Sequence, residues 1–518
     1  MQLKLLSRPL KIIFILAVIS TVLFYLNFFN TQLPEDVRLA NGATLKWQQC
    51  TFNHSFFQIT FCANYSSAEA IEGVQVVLPV VILRNRFLRD ASLPPLLYLN
   101  GGPGYATGLD DRWIPSWRDW KAGIGWSGDV VLFDQRGTGF STPKLHCDAL
   151  LPMLETILPQ NLALEAEFAM WNKLTLDCLK TFKSQGSTLD FLTTQHSAKD
   201  VINIMHSVAT AMEYQHYSLY GVSYGTRLLL DVIRQSQNNT GLFHSVILDS
   251  IYPLSVEAIL DYPEQLQRTI DLIVNGCQKD EQCNRQWPKL EETVMSLLTQ
   301  LENKPVTLTV KHPTDATKTL EVLVNDHRLL AILFNALYDW RVIGDLPGTL
   351  GEAHAGDYER LEKLVYAYVE MLLDDQFEDM TFLAVECVDQ SALVTRDDYI
   401  QAVQRFPLLE KYTRSIWDFA LCADWPVHAT AKMKTSIPSE IPALLLSGEY
   451  DPVTPVEWAE RVEAKFNNSR WYVFPGIGHG VLASDACAID VMMAFIHDPL
   501  NRTEAECLNY QYEVSFSP

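Results

Sequence analysis

Tyr217-Ser218-Leu219-Tyr220-Gly221-Val222-Ser223-Tyr224-Gly225 is the stretch on which the fold turns. A short apolar run ends in a Gly-x-Ser-x-Gly pattern, and Thr226 to Ile233 then reads as a helix. A strand that turns this sharply into a helix holds its central residue in a strained conformation. Small flanking residues avoid the clash, and the serine hydroxyl stands clear at the strand end. Five residues alone are a weak signal. Their place between an apolar strand and a helix is what gives them meaning.

Outward from this stretch the same grammar repeats. Leu96 to Leu99 runs into Asn100-Gly101-Gly102-Pro103-Gly104, and Asp129 to Phe133 runs into Asp134-Gln135-Arg136-Gly137-Thr138-Gly139. Ser245 to Asp249 is a strand without following glycines. Ala443 to Ser447 leads into Gly448-Glu449-Tyr450-Asp451, and Trp471 to Phe474 leads into Pro475-Gly476-Ile477-Gly478-His479. Continuous apolar strands suit a parallel sheet covered on both faces. Functional groups in such sheets gather at the carboxyl ends of the strands. Gly73 to Leu83 reads as paired strands, and 31–45 as a linker or first loop. Roughly 190 residues separate the Asp249 strand from the Ala443 strand. They carry helical patterning at Ile259 to Val274, Leu290 to Leu301 and Tyr358 to Leu373, plus a strand pair at Val306 to Val310 and Thr319 to Val324. This predicts a mainly helical cap, 251–438, inserted between core segments 31–250 and 439–518.

Serine needs a base to take its proton as it attacks. Asp451 and His479 each follow an apolar strand, and the order Ser223, Asp451, His479 is that of the α/β-hydrolase fold. The histidine would shuttle the proton and the carboxylate would orient and stabilise it. Asp389 and Asp424 are rival acids without strand context. The oxyanion of an acyl-transfer intermediate needs backbone donors, expected from Tyr224 and from Gly101 and Gly102.

The net charge of −22 disfavours nucleic acid as a partner. Ten cysteines carry no zinc spacing, and pairing in chain order would join Cys50–Cys62, Cys147–Cys178, Cys277–Cys283, Cys387–Cys422 and Cys487–Cys507. Lys4, Arg8 and Lys11 precede an apolar run, Ile12 to Phe29, so 1–30 is expected to be an export signal or an uncleaved membrane anchor. Export is the setting in which disulfides persist. Sequons stand at Asn53, Asn64, Asn238, Asn467 and Asn501. The histidines lack metal-site spacing, and the glycine loops lack the Lys-Ser/Thr ending of a phosphate cradle, so neither metal nor cofactor is expected.

Asn100 to Gly104, Asp134 to Ser141 and the Ser223 elbow together resemble the proline iminopeptidases and the secreted tripeptidyl aminopeptidases. The likeness runs from about residue 45 to 510. Proline iminopeptidases usually open the first motif with histidine where this chain has Asn100, which favours the exported branch. The resemblance implies an exopeptidase acting on peptides with a free amino terminus. A buried ammonium needs a carboxylate partner. Glu386 and Asp389, in Ala384-Val385-Glu386-Cys387-Val388-Asp389, are the candidates. Asp134 and Arg136 are expected to brace the loop as an ion pair. The other readings are an esterase or lipase-like hydrolase and, with the three catalytic residue types all present, less readily a non-enzymatic binding protein.

Overall fold

The structure, a computed structural model, describes residues 33–53, 55–68, 75–184, 191–237, 240–413, 419–423, 435, 438–501, 506–510 and 514–516. The apolar run Ile12 to Phe29, the sequon Asn238 and the rival acid Asp424 lie outside them.

Ten strands form the central sheet. They are β1 (Val37–Arg38), β2 (Thr44–Gln48), β3 (Gln58–Ser66), β4 (Val77–Asn85), β5 (Leu96–Leu99), β6 (Val130–Phe133), β7 (Tyr217–Val222), β8 (Phe243–Asp249), β11 (Ala443–Gly448) and β12 (Ser469–Phe474). A separate hairpin pairs β9 (Val306–Lys311) with β10 (Thr319–Val324). The sheet order is β1-β2-β3-β4-β6-β5-β7-β8-β11-β12. From β6 to β12 every pairing is parallel; from β1 to β4, and between β4 and β6, every pairing is antiparallel. The parallel strands are the six read as apolar runs; β5, β6, β7 and β11 are buried almost throughout, and burial on both faces leaves these no polar alternation, whereas the edge strand β12 is part-buried. Leu97 and Leu99 pack into the core on one face, Leu96 and Tyr98 into that on the other.

The amino-terminal part departs from expectation. Residues 31–45, read as a linker or loop, contain β1 and the start of β2. The run Gly73 to Leu83, read as paired strands, supplies one strand, β4, whose partner is the more polar β3. An antiparallel strand near a sheet edge carries polar residues on its open face, so its pattern is faint.

The helical insert has its own apolar core, drawn from Leu266, Ile273, Leu297, Val322, Leu333, Leu350, Val365 and their neighbours. The helix Asp379–Asp389 places Met380, Leu383, Ala384, Val385 and Cys387 in the core of the sheet, not in that of the cap. Cys387–Cys422 staples this helix to Phe419–Ala423, and all five disulfides join cysteines in chain order.

Candidate active site

β7 turns into the helix Tyr224–Gln235 at Ser223, which sits at φ 55° and ψ −125°. Positive φ is unfavourable for a serine. The turn is possible only because both flanking residues lack a side chain. A Cβ on Gly225 would lie 2.1 Å from the Leu99 carbonyl oxygen, and one on Gly221 would lie 2.6 Å from that of Gly225. The Ser223 N–H is anchored on the Asp249 carbonyl of β8 at 2.9 Å.

Asp451 and His479 meet. His479 Nδ1 lies 2.8 Å from Asp451 Oδ2, and the Asp451 side chain is wholly buried. Asp451 also accepts the N–H groups of Val453 and Thr454 at 2.9 and 2.8 Å and the Thr454 hydroxyl at 2.7 Å. Burial pushes the Asp451 carboxyl up, but the charge and hydrogen bond of His479 and the Thr454 bonds outweigh it and hold it below its ordinary value. Burial pushes the His479 imidazole down, and the carboxylates of Asp451 and Asp249 reverse this and raise it. With Nδ1 committed to Asp451, Nε2 is the nitrogen left for proton transfer. The Tyr338 ring, just beyond the cap helix Asp326–Ala336, lies 4.9 Å from the His479 ring.

The two glycine motifs are one device. The Gln135 side chain donates to the Asn100 carbonyl at 2.8 Å, and Asp134 accepts the Thr107 N–H at 2.9 Å and that of Phe140 at 2.8 Å. The second motif therefore clamps the first, within reach of Ser223. A Cβ on Gly101 would lie 3.2 Å from that of Ser223. Burial raises the Asp134 carboxyl to about 6. The expected Asp134–Arg136 pair does not form. Arg136 instead reaches Asp200 at 2.9 Å on a core helix, while each Asp134 oxygen accepts a peptide N–H.

The Asn100 side chain bonds within its own loop. Its side-chain oxygen accepts the Gly101 N–H and the Tyr98 hydroxyl, each at 2.9 Å, and its amide donates to the Ala106 carbonyl at 2.8 Å. The Gly101 N–H is thus taken. Those of Gly102 and Tyr224 have no acceptor among the described residues.

The helix Asp379–Asp389 docks on both motifs. The strand-like segment before it bonds to the first, Glu378 N–H to the Gly104 carbonyl at 3.0 Å and Ala106 N–H to the Gln376 carbonyl at 2.9 Å. Thr381 donates to the Gly137 carbonyl at 2.8 Å. At the far end Asp389, expected to face substrate, is held by Arg227 Nε at 2.8 Å and the Thr194 hydroxyl at 2.8 Å. Its charge is already matched, because Arg227 on the elbow helix lies beneath it. Glu386, one turn earlier, is buried and acts electrostatically on Tyr224, Arg227 and Tyr252.

Sequence reading missed four participants: Asp249, Ser250, Thr454 and Tyr338. A signal existed for Asp249, an acid closing an apolar strand on the functional rim. Nothing local marks Tyr338, which arrives from the cap.

This strand order, strained serine elbow and Asp–His pair define an α/β hydrolase. Residues 411–507, the segment carrying Asp451 and His479, match the family described as TAP-like protein, the tripeptidyl aminopeptidase-like group. No curated protein matches the chain. Among solved structures, a proline iminopeptidase from Mycobacterium smegmatis is 16% identical, with 82% of this chain and 95% of that one covered and a TM-score of 0.34. An esterase from Exiguobacterium antarcticum is 11% identical, with 83% and 98% covered and a TM-score of 0.36. A bromoperoxidase from Bacillus anthracis is 12% identical, with 84% and 100% covered and a TM-score of 0.38.

Proposed function

We propose that this α/β hydrolase is an exported serine exopeptidase that releases proline, other residues or short peptides from free amino termini. Ser223 Oγ attacks the scissile carbonyl while His479 Nε2 takes its proton, and Asp451 stabilises the imidazolium. The N–H groups of Gly102 and Tyr224 bind the oxyanion. The proton returns to the departing amine, and water then releases the acyl group from Ser223 by the same steps reversed. Asp451–His479 pairing beside a strained serine elbow is the observation that carries this reading.

For the exopeptidase step, Glu386 is the substrate-ammonium anchor. It is buried, and its charge is felt at Tyr224, the residue next to the nucleophile. Asp389 serves in this reading as a brace, not as a second anchor. Five disulfides support export. The apolar run Ile12 to Phe29 would be the leader or anchor.

The test is turnover of paired peptides with free and acetylated amino termini, with products identified by mass spectrometry. Hydrolysis confined to the free peptides supports the reading, and the product mass gives the length released. Equal turnover of both sinks it. Turnover of short acyl esters alone would make the enzyme an esterase.

A further inference from the structure

Beneath the proposed catalytic groups lies a polar layer that crosses three neighbouring strands. Tyr98 of β5 pairs in register with Tyr220 of β7, and Val222 of β7 pairs with Asp249 of β8. The two tyrosine rings lie 5.3 Å apart. The Tyr98 hydroxyl donates to Asn100 at the head of the oxyanion loop, and the Tyr220 hydroxyl donates to Asp249 Oδ2 at 3.2 Å. Asp249 is fully buried. Its backbone carbonyl holds the Ser223 N–H, and its carboxylate receives the N–H groups of Val481 and Leu482 at 2.8 and 3.0 Å, just beyond His479. Ser250 completes the grip. It sits at φ 57°, its hydroxyl accepts the Gly480 N–H at 2.9 Å and it donates to Asp249 at 3.3 Å.

Four groups converge on the Asp249 carboxylate. The Val481 and Leu482 N–H groups can only donate, so they favour its ionised form against the burial that raises it. One dipeptide therefore touches the nucleophile's backbone and the backbone of the base's loop, with a tyrosine path to the oxyanion loop.

We propose that Asp249 and Ser250 are positioning residues of this active site, fixing His479 against Ser223 and supplying a second carboxylate that stabilises the His479 imidazolium. This rests on the triad reading above. The charged and titratable groups facing His479 are Asp451, Asp249 and the Tyr338 ring, and those facing Asp249 are Tyr220, Tyr98 and His479.

The experiment has two readouts. The first is the His479 imidazole titration by NMR in otherwise unaltered protein and in Asp249→Asn. The asparagine keeps the shape but removes the charge, and its NH2 opposes one of the loop N–H groups. With Asp249 gone as a raising influence, the His479 pKa falls. The second is kinetics on a cleaved substrate. A displacement near 1 Å costs on the order of 100-fold, so kcat falls about 100-fold with KM little changed, and the acid limb moves to lower pH. A merely structural role would reduce the amount of active enzyme and leave that limb in place. Ser250→Gly, which tolerates the left-handed φ and drops the Gly480 bond and the longer one to Asp249 while leaving the carboxylate in place, gives a smaller kcat loss with the limb unmoved; Tyr220→Phe does the same should Asp249→Asn not fold. An unchanged His479 titration in Asp249→Asn overturns the proposal. So do kcat values for Ser250→Gly and Tyr220→Phe equal to that of the parent. Failure of the triad reading shows separately, as absence of fluorophosphonate labelling at Ser223 in the parent protein.

Discussion

Two neighbouring strands, β8 and β11, each lead to a buried aspartate, and the two are used differently. Asp249 is the last residue of β8, paired with Leu446 of β11, whereas Asp451 lies three residues beyond the end of β11. A residue inside the sheet is fixed in direction and grips what passes over it, here the backbone after His479. A residue in the following loop is free to approach a side chain, here the His479 ring. Burial raises both carboxyls, yet only Asp451 ends below its ordinary value, because His479 and Thr454 favour its charge by more than burial opposes it. Position relative to the strand end, more than burial, separates the two roles.

The largest effect expected from this contrast is at Asp451. Asp451→Asn should lower kcat about 10,000-fold, since an asparagine leaves His479 in the wrong tautomer. Steady-state kinetics on a cleaved peptide checks this. A loss no greater than that of Asp249→Asn would erase the distinction between the two strand ends. The pH profile sharpens it. His479 must be neutral to act as base, and its raised pKa places the acid limb of kcat/KM above the ordinary histidine value near 6.5. Asp451→Asn removes the leading raising influence and should move the limb downwards.

The same contrast recurs within one turn of the helix Asp379–Asp389. Asp389 is paired with Arg227, and Asp389→Asn would remove the carboxylate bonded to that buried guanidinium, leaving only the charge of Glu386 near it. The loss expected is about 3–5 kcal/mol of stability, read by denaturant unfolding. A change below about 1 kcal/mol would show that the pair is not a brace. The smallest effect is at Glu386. Glu386→Gln should raise KM for unblocked peptides about ten-fold, the scale of one charge-assisted hydrogen bond. Unaltered kinetics would move the ammonium site elsewhere.

The rim of the sheet was legible residue by residue. Ser223, Asp451 and His479 each follow an apolar run, and the Asp–His pair closes as their order predicts. The helix bearing Glu386 and Asp389 was located but its roles were not separable, because three residues of spacing put both acids on one face. In the fold Arg227, from about 160 residues away, bonds Asp389. The oxyanion loop shows the same limit. The N–H groups of Gly101, Gly102 and Tyr224 were all in view as donors, and only the fold shows the Asn100 side-chain oxygen accepting that of Gly101.

By itself, then, the sequence determined the parallel sheet and the rim on which Ser223, Asp451 and His479 stand. These rest on local rules, apolar strand runs and glycines at tight turns, that act over a few residues. Tertiary structure decided that Asp389 meets Arg227 and that Asp451 meets His479, and it brought Tyr338 to the His479 ring and Asp249 to the backbone just beyond it. Pairing between side chains far apart in the chain leaves no periodic trace. It depends on the close packing of the strands and the cap, which only the folded chain supplies.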